Sequence, residues 1–169
     1  MNKDSRIRDA QNRVIDVLKK KPKMALSTSS ATAVIEDRLT CTFTQGEVSA
    51  MMDLPEIMGG DAAGPTPGFF ARAGIAGCFV MGIRQASVMA GVVFNKVTVE
   101  IETDFDDGAA MGLGNASAAP LETRLAISIS THLPELEVSA LIDKVVGMGP
   151  SLLALRDAQQ VNLNLMVDV

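Results

Sequence analysis

Residues 67–90 place the tightest constraint on how this chain can fold, because they are apolar around nearly the whole helical circuit. Phe69, Phe70, Ile75, Phe79, Val80, Met81, Ile83 and Val88 are spread over every face, interrupted by Arg72, Arg84, Gln85 and Ser87. Thr66 offers an N-cap, Pro67 suits a first helical turn, and Gly91 stops the helix. A helix without a polar face has to be covered on every side. It is expected at the centre of the fold, sheathed by sheet or by a second subunit. Its longest uninterrupted apolar or small stretch, residues 73–83, is shorter than the roughly 20 residues that cross a bilayer, so no membrane span is expected.

The flanking pattern supplies the sheath. Asp4 or Ser5 can cap a first helix carrying Ile7, Ala10, Val14, Val17 and Leu18, which should end before Pro22. Three short strands follow at about 24–35, 39–45 and 47–52, with turns at Glu36-Asp37 and Gln45-Gly46. Residues 53–66 read as a loop with close backbone approaches. Beyond the long helix, Val93, Val97, Val99 and Ile101 alternate with polar residues. A Gly/Ala tract (106–119) leads to a second alternating strand at 121–131. Pro134 opens another helix, Pro150 restarts it, and Val161, Leu163, Leu165 and Val167 predict a last strand. The order α-βββ-α-ββ-αα-β gives an α+β fold with antiparallel sheets. A chain of 169 residues suits one domain, 1–169, with residues 1–22 as a basic helix appended to its core.

Charge is uneven. Lys3, Arg6, Arg8, Arg13, Lys19, Lys20, Lys21 and Lys23 outweigh Asp4, Asp9 and Asp16, on a chain whose net charge is −5. No aromatics interleave with these cations, so packing on the acidic body or on a second subunit is expected rather than nucleic-acid binding. No apolar stretch follows the N-terminal charges, and two Cys do not make a disulfide framework; a cytoplasmic location is the expectation.

Few residues carry chemistry. Gly59-Gly60 and Gly64 lack the Lys-Ser/Thr of a phosphate loop, and Gly112 and Gly114 do not open a helix. His132 is the only histidine, and the Cys have no zinc spacing. Asp104, Asp106 and Asp107 lack the terminal Glu of a calcium loop. No metal and no cofactor are expected. Cys41 and Cys78 remain. On spacing alone, Cys78 in an apolar helix is a small hydrophobe. An apolar site raises a thiol's pKa, and reactivity needs a nearby cation or hydrogen bonds. Cys78 also lies too far from the helix start to draw on its dipole.

Leu54-Pro55-Glu56-Ile57-Met58-Gly59-Gly60, Pro65-Thr66-Pro67 and Ala73-Gly74-Ile75-Ala76-Gly77-Cys78-Phe79, in that order, resemble the OsmC-like family of osmotically inducible and organic hydroperoxide resistance proteins. The resemblance implies an intertwined homodimer in which sheets wrap a pair of central helices. It also implies thiol peroxidase chemistry in oxidative-stress defence, with Cys78 as the peroxidatic residue. The family's resolving Cys precedes a Pro in the second helix, where this chain has Gly149. A Glu after the helix-opening Pro is replaced by Gly68, and Arg38 falls within about one residue of the family's Arg. Three readings follow. The first is a one-Cys peroxidase acting on a small organic hydroperoxide and reduced by an external thiol, with Arg38, or Arg72 or Arg84 from a second subunit, supporting the thiolate. In the second, Cys41 resolves Cys78. The third is a catalytically impaired family member that acts as a scaffold, binding an apolar small molecule or serving as an interaction platform.

Overall fold

The computed structural model describes residues 3–167. In chain order these form α1 (Lys3–Lys20), β1 (Thr32–Val34), β2 (Cys41–Gln45), β3 (Val48–Met52), α2 (Pro67–Ala90), β4 (Lys96–Asp104), α3 (Asp107–Ala110), β5 (Glu122–Ser130), α4 (Glu135–Val146) and α5 (Pro150–Arg156). Strands β1-β2-β3 make one antiparallel sheet and β4-β5 another, so the fold is the α+β arrangement that the pattern requires. Residues 1–2 of the expected first helix lie outside the described residues.

Two segments depart from expectation. Residues 24–31 are not strand. Pro22–Ala25 is a 3-10 turn, and the Ser/Thr-rich run after it favours local hydrogen bonding over a ladder, leaving β1 three residues long against Thr42–Thr44. Residues 158–167 form no strand either, and Val161, Leu163 and Leu165 are largely exposed. Alternation there defines an apolar face, but among the described residues no strand pairs with it.

The core lies at the C-terminal half of α2. Phe79 and Ile83 pack with Phe94 and Val145, and Val97, Val99, Leu125, Ile127, Leu141 and Ile142 close around them. Register keeps the β4-β5 apolar residues on one face, pairing Val97 with Ile129, Val99 with Ile127 and Ile101 with Leu125. Helix α1 lies across the same end. Arg8 donates from Nε and Nη2 to the Val88 carbonyl at 3.2 and 3.1 Å, and Asp4 pairs with Arg84. The basic helix therefore packs on its own chain.

Cover on every face of α2 is not achieved within one chain. No residue of α2 before Phe79 is buried, and a Cβ at Gly74 or Gly77 would meet nothing within 4 Å. At 24 residues the whole helix, charges included, is long and apolar enough to cross a membrane, although its C-terminal half is a core helix packed on β4, α4 and α5. The chain exposes 13027 Å², whereas a folded monomer of 17.8 kDa exposes roughly 8,000 Å². Ile83→Ala, at a fully buried position, should cost about 3 kcal/mol, read as a lower urea midpoint with an unchanged slope.

Candidate functional site

Cys78 stands on α2 at the boundary between its uncovered and covered halves. It is a half-buried free thiol, next to the fully packed Phe79. The helix is fixed at both ends: Thr66 Oγ1 accepts from the Phe69 amide at 3.3 Å, and Gly91 adopts φ 75° and ends it. Among the described residues, the Cys78 sulfur has no hydrogen-bond or ion-pair partner. Gly149, the N-cap of α5, packs where an added Cβ would lie 3.9 Å from the Phe79 ring and 3.4 Å from the Val145 carbonyl. Both are ordinary van der Waals contacts.

Three cations could serve the thiol, and they differ in how they are held. Arg38 sits in the β1–β2 turn at φ 51° and donates from Nη1 to Asp61 at 2.6 Å, with most of its side chain in solvent. Arg84 is engaged by Asp4 and by the Ser87 hydroxyl. Arg72 is half-buried and makes no hydrogen bond or ion pair among the described residues. Its guanidinium lies over the first turn of α2, so that a Cβ at Gly68 would come 3.3 Å from Nη1.

Sequence reasoning missed Asp53, which organises the loop leading into α2. Asp53 is 2% exposed, and its carboxylate accepts from the Leu54 amide (2.7 Å), the Thr40 hydroxyl (3.0 Å), the Ala63 amide (3.1 Å) and the Asp61 amide (3.2 Å). Burial alone would push this carboxyl up. The Ala63, Leu54, Thr40 and Asp61 donors outweigh it and hold the group below the usual carboxylate value. The same loop tolerates no side chain at Gly60, where a Cβ would fall 2.0 Å from the Leu54 carbonyl oxygen. Asp53 thus fixes Asp61, and Asp61 fixes Arg38. The available signal was a lone carboxylate ending an apolar strand, just before Leu54-Pro55 and the glycines.

Other candidates have structural employment. Asp106 caps α3 through the Ala109 amide, and Asp104 pairs with Arg124, which holds its carboxyl down. His132 is exposed at the end of β5, and Cys41 pairs with Met52 across β2 and β3.

The model of the family described as OsmC-like protein matches residues 59–164. Among solved structures, an OsmC-like protein from Mycoplasma pneumoniae superposes with a TM-score of 0.66 at 19% identity, over 78% of this chain and 89% of that one. An organic hydroperoxide resistance protein from Legionella pneumophila gives 0.59 at 22% identity, over 78% and 91%. One from Elizabethkingia anophelis, with thiocyanate bound, gives 0.59 at 21%, over 78% and 90%. At these identities the likeness is one of fold. No curated protein matches the chain.

The Asp53 network makes a prediction with a definite sign. The folded pKa lies below the ordinary 3.8, so the carboxylate's contribution is complete above that value and is lost as pH falls through the lowered one. Asp53→Asn should lower the thermal midpoint by roughly 5 °C near neutral pH. The gap from wild type should narrow below about pH 4. A gap unchanged down to about pH 3 would show that the charge contributes nothing.

Proposed function

The chain belongs to the OsmC-like protein family, and from that premise we propose that it is a homodimeric thiol peroxidase reducing organic hydroperoxides at Cys78. Its role would lie in oxidative-stress defence, in line with the similar proteins from Legionella pneumophila and Elizabethkingia anophelis described as organic hydroperoxide resistance proteins. The observation that carries the reading is the neighbourhood of Gly149. The position that the resemblance gives to a second thiol lies against Phe79, the residue next to Cys78.

In the proposed reaction the Cys78 thiolate attacks the distal oxygen of the hydroperoxide. The S–O bond forms as the O–O bond breaks, and the departing alkoxide takes a proton to become the alcohol. Sulfur is oxidised by two electrons to the sulfenic acid. Gly149 offers no sulfur to resolve it, so the electrons return from an external dithiol. One of its thiols displaces water from the sulfenic acid to form a mixed disulfide. The other then displaces Cys78 and leaves the dithiol oxidised. The thiol supplies the redox chemistry without a cofactor, and a reducing cytoplasm suits it. Arg38 enters as a cation whose charge Asp61 already balances, and Cys41 is not required.

A second copy of the chain is the occupant that the uncovered half of α2 needs. The surface excess of roughly 5,000 Å² per chain, about 10,000 Å² for a pair, is more than an obligate interface of about 2,000–5,000 Å² in total needs. The same partner would offer the apolar 158–167 segment a sheet edge. Residues 1–169 act as one unit, the basic helix appended to it, and neither nucleic acid nor membrane takes part.

One observation favours a second reading, a binding scaffold for an apolar small molecule: among the described residues no polar group supports the Cys78 sulfur. Turnover of cumene hydroperoxide with dithiothreitol separates the two. Cys78→Ser should abolish it by at least about a hundredfold, and absence of turnover in the wild type would leave the scaffold. Gly149→Cys should form a disulfide with Cys78 on peroxide treatment, with loss of two free thiols. Light scattering should return twice 17.8 kDa, and a monomer mass would remove the dimer.

A further inference from the structure

Beyond Cys78, α2 and the residues that open β4 leave a cleft of about 340 Å³ between them. Val80, Met81, Phe94 and Val97 give it an apolar lining, and Arg84, Asn95 and Lys96 supply its polar groups. Phe94 is buried, whereas Met81 is 61% exposed, so the apolar lining stays open to solvent on one side. The volume is that of a small-molecule site, and such sites combine an apolar lining with a few convergent polar groups. Both charges in this lining are positive. Among the described residues, the Lys96 ammonium and the Asn95 side-chain amide make no hydrogen bond or ion pair.

The third polar group shows what such a lining selects. Arg84 already holds a carboxylate through Nη2, that of Asp4 on α1, while Nη1 reaches the Ser87 hydroxyl at 3.5 Å. A guanidinium offers several donors in a fork that matches a carboxylate, and Asp4 occupies one arm of it. Both partners remain partly exposed, so water screens the pair and a competing carboxylate can displace it. Helix α1 lies outside residues 59–164, which the family's model matches. Asp4 is therefore a carboxylate brought to the cleft by an appended element.

We propose that the cleft binds a small aliphatic monocarboxylate and that Asp4 competes with this ligand for Arg84. The chain of the ligand lies along Val80, Met81, Phe94 and Val97, and its carboxylate sits between Arg84 and Lys96. Charge excludes an amine of the same length, and a ligand without the aliphatic chain forfeits the apolar contact. Helix α1 thus carries a built-in competitor that lowers the affinity of the cleft. The site is distinct from the Cys78 thiol, and it does not rest on the peroxidase reading.

The test titrates sodium octanoate into the full chain and follows the backbone amides by NMR. The Asn95, Lys96 and Val97 amides should shift and saturate. Arg84→Gln should weaken binding about tenfold. Because that change also releases α1, Lys96→Gln provides a second measure at an exposed position and should weaken binding about threefold. Asp4→Asn should tighten it about threefold. Acetate should bind at least about tenfold more weakly than octanoate, and octylammonium should leave the three amides in place. Cys78→Ser should bind octanoate as the wild type does, which separates the cleft from the thiol chemistry. No saturable shift below about 10 mM octanoate, or a Lys96→Gln chain that binds like wild type, would overturn the proposed site. An unchanged affinity in Asp4→Asn would overturn the competition.

Discussion

A helix with no polar face cannot rest in water, and the architecture follows from how little of α2 this chain can cover alone. Its C-terminal half is satisfied internally, with Phe79 and Ile83 set against Phe94 and Val145 and the inner face of β4-β5. In the N-terminal half no residue is fully buried. The three-stranded sheet that could cover it packs chiefly on itself, at the far end of the loop that Asp53 organises. The chain thus builds half of a core and holds the other components apart from it. Each uncovered apolar surface adds to the case for a second copy.

That arrangement puts unusual weight on the segment between β3 and α2, since it joins a detached sheet to the central helix. A buried carboxylate is a costly way to fix a loop unless every lone pair finds a donor. Asp53 accepts four hydrogen bonds, three of them from amides of its own loop. Side-chain packing could not do the same work here, because Gly60 lies too close to the backbone for any side chain and Ile57 points into solvent. The hydrogen bonds also carry order outward, through Asp61 to Arg38, so the β1–β2 turn is tied to the entry of α2.

Much of this was legible in the sequence where local chemistry decides structure. Thr66-Pro67 and Gly91 bound α2 because capping and left-handed termination need only neighbouring residues. The alternation of β4 and β5 survives because each strand finds the other in the same chain. The same alternation at 161–167 misled, since a period of two names a face but not the strand that will lie beside it. Asp53 was illegible for a related reason: its role arises where three amides converge, and no spacing rule encodes that. Cys78 was located through a resemblance to the OsmC-like family. What surrounds it, including the Asp61 grip on Arg38, is a matter of side-chain geometry that the resemblance did not contain.

The substitutions that seem to strip the site can instead be understood separately. A Cβ at residue 68 would come 3.3 Å from Nη1 of Arg72, the far end of a flexible side chain that can shift by a few tenths of an ångström. Gly149 bears on the chemistry itself. In the proposed reaction, an oxidised Cys78 without a second sulfur depends on a small thiol arriving from outside. On the proposed reading, Gly149 is consistent with a chemistry in which a diffusing reductant replaces a built-in one.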